Sequence, residues 1–126
     1  MLNKTELVAA AGEASKMAYA PYSGFKVGAA VITESGKIFS GCNVENASYG
    51  LSVCAERVAL FNAVTAGSQN FTAMAIYTET DIPFYPCGAC RQVLAEFNPQ
   101  LEILIIWKNG EQNLKLSELL PYQFKL

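Results

Sequence analysis

The chain has 126 residues, 52% of them hydrophobic and only 16% charged, against roughly a quarter charged in an average soluble chain; one domain is expected and disorder is excluded. The net charge of -2 comes without any basic run, which argues against tight nonspecific binding to nucleic acid, and the apolar surplus predicts surface covered by partner subunits. No histidine accompanies the four cysteines Cys42, Cys54, Cys87 and Cys90, so Ser-His-Asp, Cys-His and HExxH chemistries are all excluded.

The first six residues, Met1 to Glu6, lack the apolar core and cleavage site of a signal peptide, and no apolar run approaches the ~20 residues of a membrane span. A soluble, cytoplasmic protein with reduced cysteines is expected. Helical spacing of Leu7, Val8, Ala11, Ala14 and Ala18 predicts an amphipathic helix over 5–20, capped by Thr5 or Asn3 and stopped by Pro21. The turn signal Pro21-Tyr22-Ser23-Gly24 leads into two apolar runs, 25–33 and 38–42, around a glycine-bearing turn, which read as a hairpin. Residues 43–51 form a polar loop. A second helix is expected over 53–66, with Ser52 as N-cap, Gly67 as stop and Val58, Leu60, Phe61 and Val64 facing a core. A strand over 71–77, a proline-containing loop over 81–86, a third helix over 87–97 and a buried strand over 101–107 follow. Asn109-Gly110 turns the chain into a weak strand around Leu114, and Ser117 caps a short last turn before Pro121. Strand-helix-strand units at this spacing favour one mixed sheet with helices on its faces.

The CxxC of Pro86-Cys87-Gly88-Ala89-Cys90 is shared by zinc sites and thiol-disulfide enzymes. Cys54-Ala55-Glu56, 33 positions before Cys87, decides between them, since a redox pair has no use for a third cysteine. Both cysteine groups fall at predicted helix starts, where aligned amides favour thiolate, and thiolate-rich sites suit zinc. Three ligands leave a coordination position open for water, as in catalytic zinc, whereas a fourth from Cys42 would close a structural site. Cys42 ends a strand with no cysteine near it in sequence, which favours a buried bystander thiol. Glu56 is then the candidate general base, because no histidine exists to move protons. Residues i and i+2 of a helix do not face each other, so Glu56 serves only if the metal lies just beyond the helix end. Three thiolates also overload the ion with negative charge. Arg57, three after Cys54, and Arg91, next to Cys90, are the candidates to donate to sulfur, and the i,i+3 placement favours Arg57.

Cys54-Ala55-Glu56-Arg57 and Pro86-Cys87-Gly88-Ala89-Cys90-Arg91-Gln92, with Gly41-Cys42-Asn43-Val44-Glu45-Asn46-Ala47-Ser48-Tyr49-Gly50 upstream, closely resemble the small cytidine deaminases. The likeness runs from the Tyr22-Ser23-Gly24-Phe25 segment to Phe124. It implies a three-layer α/β/α sandwich around a five-stranded mixed sheet, spanning 1–126 as one domain. It also implies zinc-dependent hydrolysis of cytidine and deoxycytidine to uridine and deoxyuridine with release of ammonia, a step of pyrimidine salvage. Cys54, Cys87 and Cys90 would hold zinc, and Glu56 would take the proton of the attacking water, protonate the ring nitrogen and then the leaving amino group. The same resemblance assigns Asn43 and Glu45 to the ribose hydroxyls, Phe25 and Phe124 to a sandwich around base or sugar, and the Ala55 N–H to the pyrimidine carbonyl. It brings Tyr49 from a neighbouring subunit and implies a homotetramer with shared sites. A carboxylate and an amide aimed at the sugar disfavour phosphate esters. The alternatives are a blasticidin-type deaminase with the same metal chemistry and a zinc-stabilised binding module without catalysis.

Overall fold

The structure, a computed structural model, describes residues 3–126, so Met1 and Leu2 of the leading segment lie outside the described residues. Five strands form one mixed sheet in the order β2-β1-β3-β4-β5. β1 (Val27–Thr33) and β2 (Ile38–Cys42) are the expected hairpin, from Gly28 opposite Cys42 to Ile32 opposite Ile38. β3 (Phe71–Thr78) lies antiparallel to β1 and parallel to β4 (Glu102–Trp107), while β5 (Gly110–Lys115) closes the far edge antiparallel to β4. The weak signal around Leu114 is a full six-residue strand; its side chains are mostly exposed, so β-ladder bonds rather than apolar burial define it.

Alternation along β1 sorts the core into two faces. Ala30 and Ile32 meet Leu7 and Ala11 of α1 (Lys4–Ser15), with Ala73, Ala75 and Leu104 in the same cluster. Ala29 and Val31 point the other way, towards Ala59 and Leu60 of α2 (Ala55–Thr65) and Leu94 of α3 (Gly88–Phe97). The result is the α/β/α sandwich. Both first-face and second-face helices sit unusually close to the sheet because glycine lets them. A Cβ on Gly28 would lie 1.9 Å from the Ala11 carbonyl oxygen, and one on Gly41 would lie 2.5 Å from the Ala59 nitrogen.

Three helix readings need correction. α1 starts at the expected Asn3 cap, whose Oδ1 accepts from the Glu6 N–H at 3.1 Å, but it ends at Ser15 rather than at 20. Pro21 disfavours a helical Ala20, and Tyr19 is drawn into backbone pairing: its N–H donates to Asn43 at 3.0 Å and its carbonyl accepts from Glu45 at 2.9 Å. α2 starts two residues later than expected. Ser52 accepts from the Asn46 N–H instead of capping, Val53 pairs with Val44, and Cys54 takes the cap position. Phe61 points outward, 47% exposed, because the face of α2 on the sheet is built from Ala55, Ala59, Leu60 and Ala63. At the C-terminal end, α4 (Leu116–Leu119) is capped at Lys115, whose N–H donates to Glu118 at 2.9 Å; Ser117 lies inside the helix beside Gln100.

Candidate active site

Cys54 and Cys87 occupy the N-cap positions of α2 and α3, and neither makes a side-chain capping bond. Two helix N-termini, each with first-turn N–H groups lacking intrahelical acceptors, therefore meet over sulfur. The Sγ atoms of Cys54 and Cys87 are 3.9 Å apart and those of Cys87 and Cys90 are 3.5 Å apart, with no disulfide. All three ligand atoms lie within 4.8 Å of one another. A tetrahedral site with Zn–S bonds of about 2.3 Å has an edge of about 3.8 Å between sulfurs, which the Cys54–Cys87 and Cys87–Cys90 separations match to within a few tenths of an ångström. Cys42, at the end of β2, is half-buried and lies outside the cluster. Among the described residues, a fourth cysteine ligand is therefore lacking.

The electrostatics follow from crowding. Hydrogen bonding from Cys90 lowers the Cys54 thiol to about 5, against desolvation, and Arg57 and Cys87 add to the lowering. Cys90 moves the opposite way, because it donates towards Cys54, is desolvated and faces the Glu56 carboxylate. Arg57 Nη2 donates to the Cys54 sulfur at 3.5 Å, and its pKa is raised by that bond. Its Nε is buried without a hydrogen-bond partner. A buried cationic donor beside sulfur fits a cluster that gains negative charge when all three thiols ionise to bind metal.

Glu56 is 5% exposed. Burial pushes its carboxyl up to about 7; its own backbone N–H and a hydrogen bond with Cys90 pull down, while the charge of Cys54 pushes up. The carboxyl thus faces the cysteines even though Glu56 is only two residues from Cys54, because the cluster lies off the end of α2 rather than on its side. Ala55, fully buried, is the first residue of that helix.

Arg91 does not donate to sulfur. Its Nε donates to the Pro86 carbonyl and its Nη1 to the Leu119 carbonyl, each at 2.7 Å. The other substrate candidates divide. Glu45 accepts from the Tyr22 and Ser23 N–H groups at 3.0 Å each and from the Ser23 hydroxyl, which hold its pKa below the usual carboxylate value. Asn43 spends both ends of its amide on backbone, accepting from Val27 at 2.9 Å and donating to Phe25 at 2.8 Å. Glu45 and Tyr49 line a cavity of about 380 Å³ with Tyr22, Ser23 and Ser52, whereas Phe25 borders a second cavity of about 360 Å³ that includes Lys16 and Glu79. Phe25 stacks edge-to-face on Phe84, with ring centroids 5.1 Å apart, rather than on Phe124, which is 70% exposed. Sequence reasoning missed Ser23 and Phe84. The first sits in an obvious turn signal, but Phe84 lies in a loop with no periodicity to read.

Three cysteines able to hold a metal ion converge at the N-terminal ends of α2 and α3, beside the buried Glu56 and with Arg57 donating to one sulfur, the ligand set of a zinc protein that works without histidine. Residues 1–105 match the family of the cytidine and deoxycytidylate deaminase zinc-binding region. The chain is 44% identical over 121 residues to a cytidine deaminase of Sporosarcina psychrophila, covering 94% of this chain and 89% of that one. It is also 44% identical over 125 residues to one from Halalkalibacterium halodurans, covering 98% and 95%. The crystal structure of cytidine deaminase from Burkholderia pseudomallei superposes with a TM-score of 0.92 at 50% identity, covering 98% of this chain and 100% of that one. The chain belongs to the cytidine deaminase family. No helix among the described residues is long and apolar enough to cross a membrane.

Proposed function

We propose that the protein catalyses the zinc-dependent hydrolytic deamination of cytidine and deoxycytidine to uridine and deoxyuridine, releasing ammonia. The observation that carries this reading is Glu56: a buried carboxyl set beside three thiols that can hold a metal ion. Cys54, Cys87 and Cys90 would hold zinc, which when bound would supply Lewis-acid activation of water at neutral pH. Glu56 would accept one proton of the attacking water and deliver it to the ring nitrogen next to the amino-bearing carbon, then take that water's second proton from the new C–OH and pass it to the amino group, so that ammonia leaves as the carbonyl forms. The N–H of Ala55 at the start of α2 receives the pyrimidine carbonyl oxygen, and Phe25 offers an apolar ring face to the base or sugar. Asn43 and Glu45 meet the ribose hydroxyls, and the ionised Glu45 repels a 5′-phosphate. Arg57 offsets the charge of three thiolates.

The whole chain, 1–126, acts as one deaminase-like domain and assembles into a homotetramer with shared sites. Support comes from the exposed Tyr49, 76%, and Phe124, 70%, which lack cover within their own subunit. Three thiols that must stay reduced to hold metal favour a cytoplasmic setting. Spectroscopic assay of cytidine, deoxycytidine, CMP and blasticidin S with wild type and Glu56→Gln tests the reading. The two nucleosides should be consumed and the other two spared, with Glu56→Gln slower by about 10²–10⁴-fold. Zinc-loaded wild type that consumes neither nucleoside refutes the activity; full activity in Glu56→Gln refutes the proton-transfer role.

A further inference from the structure

Arg91 is part-buried and makes no ion pair; the salt bridges among the described residues use Lys4, Lys16 and Lys108. Its guanidinium instead joins two backbone carbonyls that are far apart in sequence. Pro86 is buried and immediately precedes the ligand Cys87. Leu119 is the last residue of α4, directly before the C-terminal segment that carries Phe124. That segment turns through Tyr122 in the left-handed region, φ 53°, and its other anchor is the Gln123 amide donating to Pro99 at 3.2 Å. Both Arg91 bonds are 2.7 Å, in the range of charge-assisted bonds. A planar fork can serve two carbonyls in fixed directions, whereas a lysine ammonium is a single point on a flexible stem.

We propose that Arg91 is a positioning residue that locks the base of the C-terminal segment to the metal-ligand loop, so that Phe124 is presented at a fixed place relative to the zinc-binding end of the sheet. This rests on the deaminase reading for its kinetic readout but not for its structural one. Arg91 donates to none of the three cysteines; with the Pro86 carbonyl as the fixed end of the fork, it acts through Leu119 on the residues that follow.

The test is a double-mutant cycle of Arg91→Met and Phe124→Ala in the full-length zinc-loaded protein, read by steady-state kinetics on cytidine and by hydrogen exchange of the amides of 120–126. Losing one well-placed contact is worth about tenfold, so Arg91→Met should raise KM about tenfold with zinc content unchanged. In the Phe124→Ala background the same substitution should raise KM by about twofold or less, because the two residues act through one segment. Exchange of 120–126 should quicken while that of β3 and β4 stays constant. Arg91→Lys, the milder change, should give an intermediate KM and keep the protein folded if Arg91→Met does not. Equal KM effects in both backgrounds, or unchanged exchange of 120–126 in both Arg91 variants, overturns the proposal. Should zinc-loaded wild type turn over neither nucleoside, the deaminase reading fails while the exchange result alone still decides the role of Arg91.

Discussion

Burying Glu56 has a cost in the absence of metal, and the cost is measurable. Its carboxyl rises from an ordinary 4.5 to about 7, chiefly through desolvation. At about 1.4 kcal/mol per pH unit this amounts to about 3 kcal/mol. The folded chain holds the Glu56 proton more tightly than the unfolded chain does, so between pH 4.5 and about 7 the folded state carries more protons. The contribution of Glu56 to stability therefore falls as pH rises through that window and levels off above it. Glu56→Gln leaves an uncharged side chain of similar shape and abolishes this slope. Chelator-stripped wild type and variant should be unfolded in denaturant at equal protomer concentration, since subunit association shifts the midpoint. At pH 4 the two should be close; at pH 8 the variant should be more stable by about 3 kcal/mol. The other titrating groups are common to both proteins and cancel in the difference, apart from the coupling of Glu56 to Cys54 and Cys90. A wild-type-minus-variant difference that stays flat from pH 4 to 8 would refute the reasoning, because it would mean that the carboxyl is solvated in the folded chain.

Other substitutions probe the remaining parts. Arg57→Gln removes the donor on Cys54. The variant should bind zinc about 10–100-fold more weakly in competition with a chelator, and alkylation of the metal-free protein should show the Cys54 midpoint rising from about 5. Gly28→Ala places a Cβ against the α1 backbone and should cost roughly 2–3 kcal/mol, read as a lowered melting temperature. Cys42→Ser should retain zinc and turnover, since Cys42 stands outside the thiol cluster; loss of stoichiometric zinc would revive the closed four-cysteine site.

What could be read in the sequence and what could not differ by the nature of each residue's partner. Cys54, Cys87 and Cys90 could be grouped from spacing because the partner they are able to share is a metal ion, and metals select residue types. The hairpin and the buried strand at Leu104 were legible because alternation and apolar runs report directly on burial. Phe61 was not: an aromatic at helical spacing predicts core, but the close approach of α2 at Gly41 leaves room for alanines on the sheet side and turns Phe61 outward. The early end of α1 was hidden for a related reason, since the pairing that draws Tyr19 away is with the backbone of Asn43 and Glu45.

Arg91 and Glu45 carry the same lesson into the site. Arg91 stands beside a ligand cysteine, and charge compensation was the natural role to assign it. Its actual acceptors are the carbonyls of Pro86 and Leu119, groups that every residue possesses and that no side-chain pattern announces. Glu45 is likewise held by the N–H groups of Tyr22 and Ser23. Chemistry that depends on side-chain identity is written in the sequence at fixed spacing. Alignment of that chemistry rests on backbone donors and acceptors brought together by the fold, and for that reason the residues that aim the site emerge only from the coordinates.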